Sequence, residues 1–155
     1  MPIKSFRGKI VTGGKDTISL HTNNGSTGYT IKKIQIISAD PGGDVSELVF
    51  KIHSIDTAVS STIDFSDNTL LGIAYYQNVP VQAGSQGQSP TSVIVFDNMI
   101  INQDLYLQAT DVTGNSVETN YYIELEQVKL DLNENTVATL KDIRNIASQW
   151  ANNIL

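Results

Sequence analysis

Up to about residue 130, the apolar residues of this chain come in short runs, and the clearest of these alternate with polar residues. Leu48, Phe50 and Ile52 alternate with Glu47, Val49, Lys51 and His53. Leu105, Leu107 and Ala109 alternate with Tyr106, Gln108 and Thr110, and Ile18 and Leu20 with Thr17, Ser19 and His21. A period of two is the mark of a strand with one face on a core and the other in water. Three further runs, TIKKIQIIS (30–38), LLGIAYYQNV (70–79) and TSVIVFD (91–97), are apolar on both phases. These predict strands covered on both faces, or covered by a partner. Between the runs lie HTNNGSTG, ADPGGDVS, DFSDN and VTGNS, rich in residues that turn the chain. The spacing of strands and turns predicts an all-β chain, an antiparallel sandwich with jelly-roll-like character, and no βαβ rhythm.

One strand carries a phase slip. Tyr121, Ile123 and Leu125 share a phase, whereas the next apolar residues are Val128 and Leu130. A slip turns the second half inside out unless a bulge absorbs one residue. The pattern therefore predicts a long bent strand over 118–131, bulged near Glu126 and Gln127. It also predicts a hairpin in which the strand over 104–112 pairs with this one through Thr113-Gly114-Asn115-Ser116. The stretch PVQAGSQGQSPTS (80–92) offers no core and reads as an exposed loop, or one ordered by something else.

The tail of the chain is unlike the rest. From Thr136 onward it holds no Gly and no Pro, and it contains the single Trp. Asn133 or Asn135 can cap a helix, with Glu134 near the positive end of its dipole. Leu140, Ile143, Ala147, Trp150 and Ile154 follow a 3-4-3-4 spacing, which makes a narrow seam along one face. Such a seam covers an open face of the chain's own sheet, or docks on a neighbouring copy or a different protein. The narrowness of the stripe and the Trp near the end favour docking.

Charge narrows the choice of partners. The net charge is −6, which argues against nucleic-acid binding, since phosphate contact needs a basic face. Yet Lys4, Arg7, Lys9 and Lys15 precede the first acid, Asp16, and eight acids stand against Lys129 alone between Asp97 and Glu134. The plain reading is two solvated faces; the sharper one is a basic end, with Lys4, Arg7 and Lys9, that docks on an acidic surface of an identical or different neighbour. No apolar run approaches the roughly 20 residues of a membrane span, and MPIKSFRGKIVTGGK lacks the apolar stretch of an export signal. Without Cys there is no disulfide framework.

Candidate chemistry is sparse. His21 and His53 fall on the polar phase of their strands and read as exposed, and no spacing makes them a zinc site. Asp64 and Asp67 in TIDFSDN lack the ladder of a calcium loop and read as turn residues capping backbone N–H groups. Glu124 and Glu126 stand on one strand face about 7 Å apart, whereas a retaining glycosidase pair needs about 5 Å across a cleft. Tyr75-Tyr76 and Tyr121-Tyr122 each predict one core ring and one surface ring, because neighbours on a strand point to opposite faces. No catalytic residue, metal or cofactor is expected.

The segments HTNNGSTGYTIKKIQII (21–37), TIDFSDNTLL (62–71), VIVFDNMIINQDLYL (93–107) and NYYIELEQVKLDLNENTVATLKDIRNI (120–146) resemble a family of small proteins encoded by marine tailed bacteriophages, including those that infect cyanobacteria. The resemblance covers most of the chain and is strongest from residue 93 onward. It implies a component of the virion, assembled in the host cytoplasm, and brings no catalytic residue with it. The combined expectation is a basic arm or first strand (1–15), a β-sandwich (16–132) and a docking helix (133–155). Its partners would be the major capsid protein, another virion protein or further copies of itself, as in a capsid decoration or cement protein. The alternative is a tail or fibre component that meets a host-surface glycan through loop 80–92 and Tyr75 or Tyr76.

Overall fold

A computed structural model describes residues 2–20, 26–78, 91–96 and 100–130. The alternating runs become eight strands: β1 (Ile3–Ile10), β2 (Gly14–Ile18), β3 (Thr27–Ser38), β4 (Ser46–His53), β5 (Leu70–Asn78), β6 (Thr91–Val95), β7 (Leu105–Asp111) and β8 (Thr119–Lys129). They form two sheets, a three-stranded one in the order β1-β8-β3 and a five-stranded one in the order β2-β7-β4-β5-β6. Every strand pair is antiparallel. No helix among the described residues is long and apolar enough to cross a membrane.

The two sheets enclose one core in a sandwich-like arrangement. Tyr121, Ile123 and Leu125 of β8 face Phe50 and Ile52 of β4 and Leu105, Leu107 and Ala109 of β7, all in one apolar cluster. Phe50 stacks on Tyr121 with ring centroids 5.5 Å apart. These are the phases that the alternation assigned to the core.

The opposite phase of β4 departs from expectation. Lys51 and His53 retain only 6% and 4% of their exposure, and Val49 and Ile73 beside them are buried too. The cover is the excursion over residues 54–69, closed at its base by a 2.9 Å bond from the Ser54 amide to the Thr69 carbonyl. Lys51 Nζ donates to the Thr62 carbonyl at 2.9 Å. Gln108 Oε1 accepts the Ser60 amide at 3.0 Å, while its Nε2 donates to Thr57 Oγ1 at 3.2 Å. Phe65 lies edge-on against Phe96 at 4.9 Å. Polar side chains of the sheet thus hold a polar loop, which satisfies both as they leave water. His53 is a buried residue, contrary to its reading as an exposed one; His21 lies outside the described residues.

The hairpin expected between the seventh and eighth strands does not form. β7 pairs with β2 and β4, β8 pairs with β1 and β3, and residues 112–118 carry the chain from one sheet to the other. Asp111 organises this arch. Its Oδ1 accepts the Thr113 amide and hydroxyl at 3.0 and 2.7 Å and the Glu47 amide at 3.2 Å, and its Oδ2 accepts the Val117 amide at 2.9 Å. Gly114 (φ 86°) and Ser116 (φ 57°) supply the left-handed turns.

The bulge is also displaced from its expected place. β8 pairs with β1 without interruption, and the register shift falls in β3 between Ile31 and Lys33, making Lys32 the extra residue. This lets Ile31 and Ile34, three apart in sequence, both face the core. The apolar slip at the end of β8 has another cause. Val128 lies opposite Gly28, and a Cβ on Gly28 would strike Ile100 and crowd Leu130. Val128 and Leu130 thus belong to a small cluster outside the main core.

The helix expected over 133–155, with Leu140, Ile143, Ala147, Trp150 and Ile154, and most of loop 80–92 lie outside the described residues.

Candidate interaction surface on the three-stranded sheet

The core phases of β1, β8 and β3 leave the other phases on the outer face of the sheet. Register aligns them in rows: Lys9, Asn120 and Ile37; Arg7, Tyr122 and Gln35; Ser5, Glu124 and Lys33. This face borders a groove of about 1000 Å³ whose walls include Arg7, Lys9, Lys33, Gln35, Asn120 and Tyr122, and which extends to Tyr75 of β5 and Val93 of β6. Ile37 and Val93 are 50% and 47% exposed.

The surface is cationic with local neutralisation. Lys9 pairs with Glu118 at 3.4 Å and Lys32 with Glu126 at 3.2 Å. Arg7 and Lys33 form no ion pair with a described residue. Exposed pairs such as these contribute little to stability, so the charges are available to an incoming partner. The Tyr122 hydroxyl donates to Glu124 Oε1 at 3.0 Å, and that bond to a carboxylate raises the phenol above its ordinary range.

Of the residues singled out in the sequence, the structure places Arg7 and Lys9 together on this face, on a regular strand. Lys4 lies on the inner side. It pairs with Leu125, and its Nζ is 3.4 Å from the Tyr29 hydroxyl and 5.6 Å from the ring centre. Of the two tyrosine pairs, Tyr121-Tyr122 reads as expected, with Tyr121 buried and Tyr122 partly exposed, whereas Tyr75 and Tyr76 are both partly exposed, so neither is a core ring. Tyr122 was expected as a surface ring, whereas Lys33 and Gln35 escaped the sequence reading as site residues. Their only signal was the polar phase of strands whose neighbours were not yet known.

The other polar clusters are structural in character. Asp64 Oδ1 accepts the Ser66 amide at 2.9 Å, and Asp67 Oδ1 accepts the Thr69 amide at 2.9 Å, as turn-capping carboxylates do. His53 Nδ1 lies 3.1 Å from Thr69 Oγ1, which itself donates to Asp67 at 2.7 Å. Nδ1 therefore carries the proton, and Nε2 is buried without a partner. Among the described residues, no group of three or more His, Cys, Asp or Glu is placed to hold a metal ion.

The groove combines Arg7 and Lys33, which have no ion-pair partner among the described residues, with planar amides, the rings of Tyr75, Tyr121 and Tyr122, and apolar walls that include Ile36 and Val93. Comparison of the chain with protein-family models, with characterised proteins and with solved structures returns no match.

Proposed function

We propose that this protein is a non-enzymatic structural component of a bacteriophage particle, a decoration or cement protein on the capsid exterior. The observation that carries the reading is the placement of the basic first strand. It forms an edge of its sheet, and Arg7 and Lys33 line a groove without a described ion-pair partner. A rigid body with a cationic, only partly neutralised flank suits attachment to an acidic protein surface.

The connectivity supports the same reading by analogy. Pairing of β1 with β8, β2 with β7 and β4 with β5 nests the chain as a jelly roll does, with β6 set beside β5 instead of β3. Jelly rolls build viral shells, and also lectins and cupins. The segment 133–155 completes the proposal as a helix whose seam of Leu140, Ile143, Ala147, Trp150 and Ile154 docks on a neighbour. Trp150→Ala would then leave the melting temperature of the isolated protein unchanged while blocking incorporation.

A second reading, a tail or fibre component that binds a host glycan, draws on Tyr122 flanked by Gln35, Asn120 and Arg7 in the groove. Stacking on a ring edged by amide donors is a mode open to sugars. Quantitative mass spectrometry of purified particles separates the two. A copy number comparable with that of the major capsid protein supports decoration, a few copies support the tail, and absence contradicts both.

A further inference from the structure

Among the described residues the cationic flank ends in a strand edge with no further strand beside it, and its chemistry can be read residue by residue. The Pro2 carbonyl accepts the Gln127 amide at 2.9 Å. In an antiparallel ladder the residues that exchange hydrogen bonds recur at every second position. The register from Ile3↔Glu126 to Ile10↔Thr119 then turns the main-chain groups of Lys4, Phe6, Gly8 and Ile10 toward β8. Those of Ile3, Ser5, Arg7 and Lys9 point to the open edge, where no described strand pairs with them. The strand has neither a bulge nor an internal Pro, two devices that commonly blunt exposed edges.

Among the described residues, charge is what guards this edge, and it does so selectively. β1 carries Lys4, Arg7 and Lys9 and no acid. A second copy adding its own β1 would bring three further cations onto the adjacent strand, which cross-strand repulsion opposes. A strand bearing acids meets the opposite field.

We propose that the open edge of β1 is completed by an acidic, extended segment of a partner protein, added antiparallel as the next strand of the sheet. Parity sets the sequence it accepts. Acids belong opposite Ser5, Arg7 and Lys9 on the outer face, and apolar residues belong on the inner face beside Phe6, which packs against the core. Because Ser5, Arg7 and Lys9 point their main chain outward, the acidic residues of the incoming strand are the ones whose own amides bond to β1. This inference rests on the reading of the basic flank as a docking surface and names what docks there.

The test uses the full chain and a capped probe peptide of sequence TEVEVET, followed by NMR. Binding should slow amide exchange at Ile3, Ser5, Arg7 and Lys9. A peptide with Lys in place of Glu should not bind. The double variant Arg7→Glu, Lys9→Glu should weaken the probe roughly tenfold or more. N-methylation of the Glu amides should abolish binding, whereas N-methylation of the Val amides should be tolerated. No binding, equal binding of the Lys peptide, the reverse methylation pattern, or concentration-dependent self-pairing through β1 would each overturn the proposal. A protein found in particles that fails with the peptide loses only this inference; one that binds the peptide but is missing from particles loses only the functional reading.

Discussion

The Tyr121 hydroxyl donates a 2.5 Å hydrogen bond to Asp16 Oδ2, tying β8 of the three-stranded sheet to β2 of the five-stranded one. Burial, followed by the neighbouring carboxylate, pushes the phenol far above its ordinary range. Tyr121→Phe keeps the ring on Phe50 and removes only the bond. Since Asp16 is exposed and regains water, the loss should be about 1 kcal/mol, measured by denaturant unfolding.

Gly8 lies beneath the same ring. A Cβ there would stand 2.7 Å from the Tyr121 hydroxyl oxygen and 2.9 Å from two ring atoms. The ring cannot swing away freely, because Phe50 and Asp16 hold it. Gly8→Ala should therefore cost about 1–3 kcal/mol, as overpacking does. In a Tyr121→Leu background the same change should cost less, and a double-mutant cycle reads the difference.

Asp111 makes folding of the arch sensitive to acid. Burial alone would raise its carboxyl, but the bonds from Thr113, Val117 and Glu47 outweigh this and hold it below the usual carboxylate range. A folded pKa depressed in this way adds stability that is present above the unfolded value near 4 and is lost as pH falls through the folded value. Asp111→Asn would set an NH₂ group against an amide donor and should cost about 2–3 kcal/mol at pH 7. The gap between variant and wild type should narrow as pH drops below about 4.

His53 acts in the same sense but in a higher pH window. Burial lowers its pKa, Asp67 opposes this, and Lys51 reinforces it. The unfolded imidazole titrates near 6.5, so just below that pH the unfolded chain binds more protons than the folded one. Stability should fall as pH drops from about 6.5, until the folded value is passed. Thermal melts of His53→Gln should show no such slope over that window.

Much of the core was legible because burial on one face writes a period of two into β4, β7 and β8. The partners of those strands were not. Asp111 and the Thr113–Val117 arch look like a hairpin turn in one dimension, since the same turn residues serve a tight return and a crossing between sheets. Lys51 and His53 looked exposed because a loop that buries them through its own carbonyls and hydroxyls leaves no apolar signal. Val128 and Leu130 read as the mark of a bulge in β8, but they lie outside the main core at the end of an uninterrupted strand, and the register shift falls at Lys32 of β3, for which the sequence held no separate signal. Arg7 and Lys9 were visible as a basic run, but their shared face with Lys33, Gln35 and Tyr122 depends on which strands lie side by side.

If the protein is a virion component, as we propose, the outer edge of the three-stranded sheet is where it meets the particle. Hydrogen–deuterium exchange of the protein bound in intact particles, compared with the free protein, tests this directly. Residues 3–10 should exchange markedly more slowly in the particle, while the β4–β7 pairing, already protected, should not change. Equal exchange over residues 3–10 in both states would contradict the account.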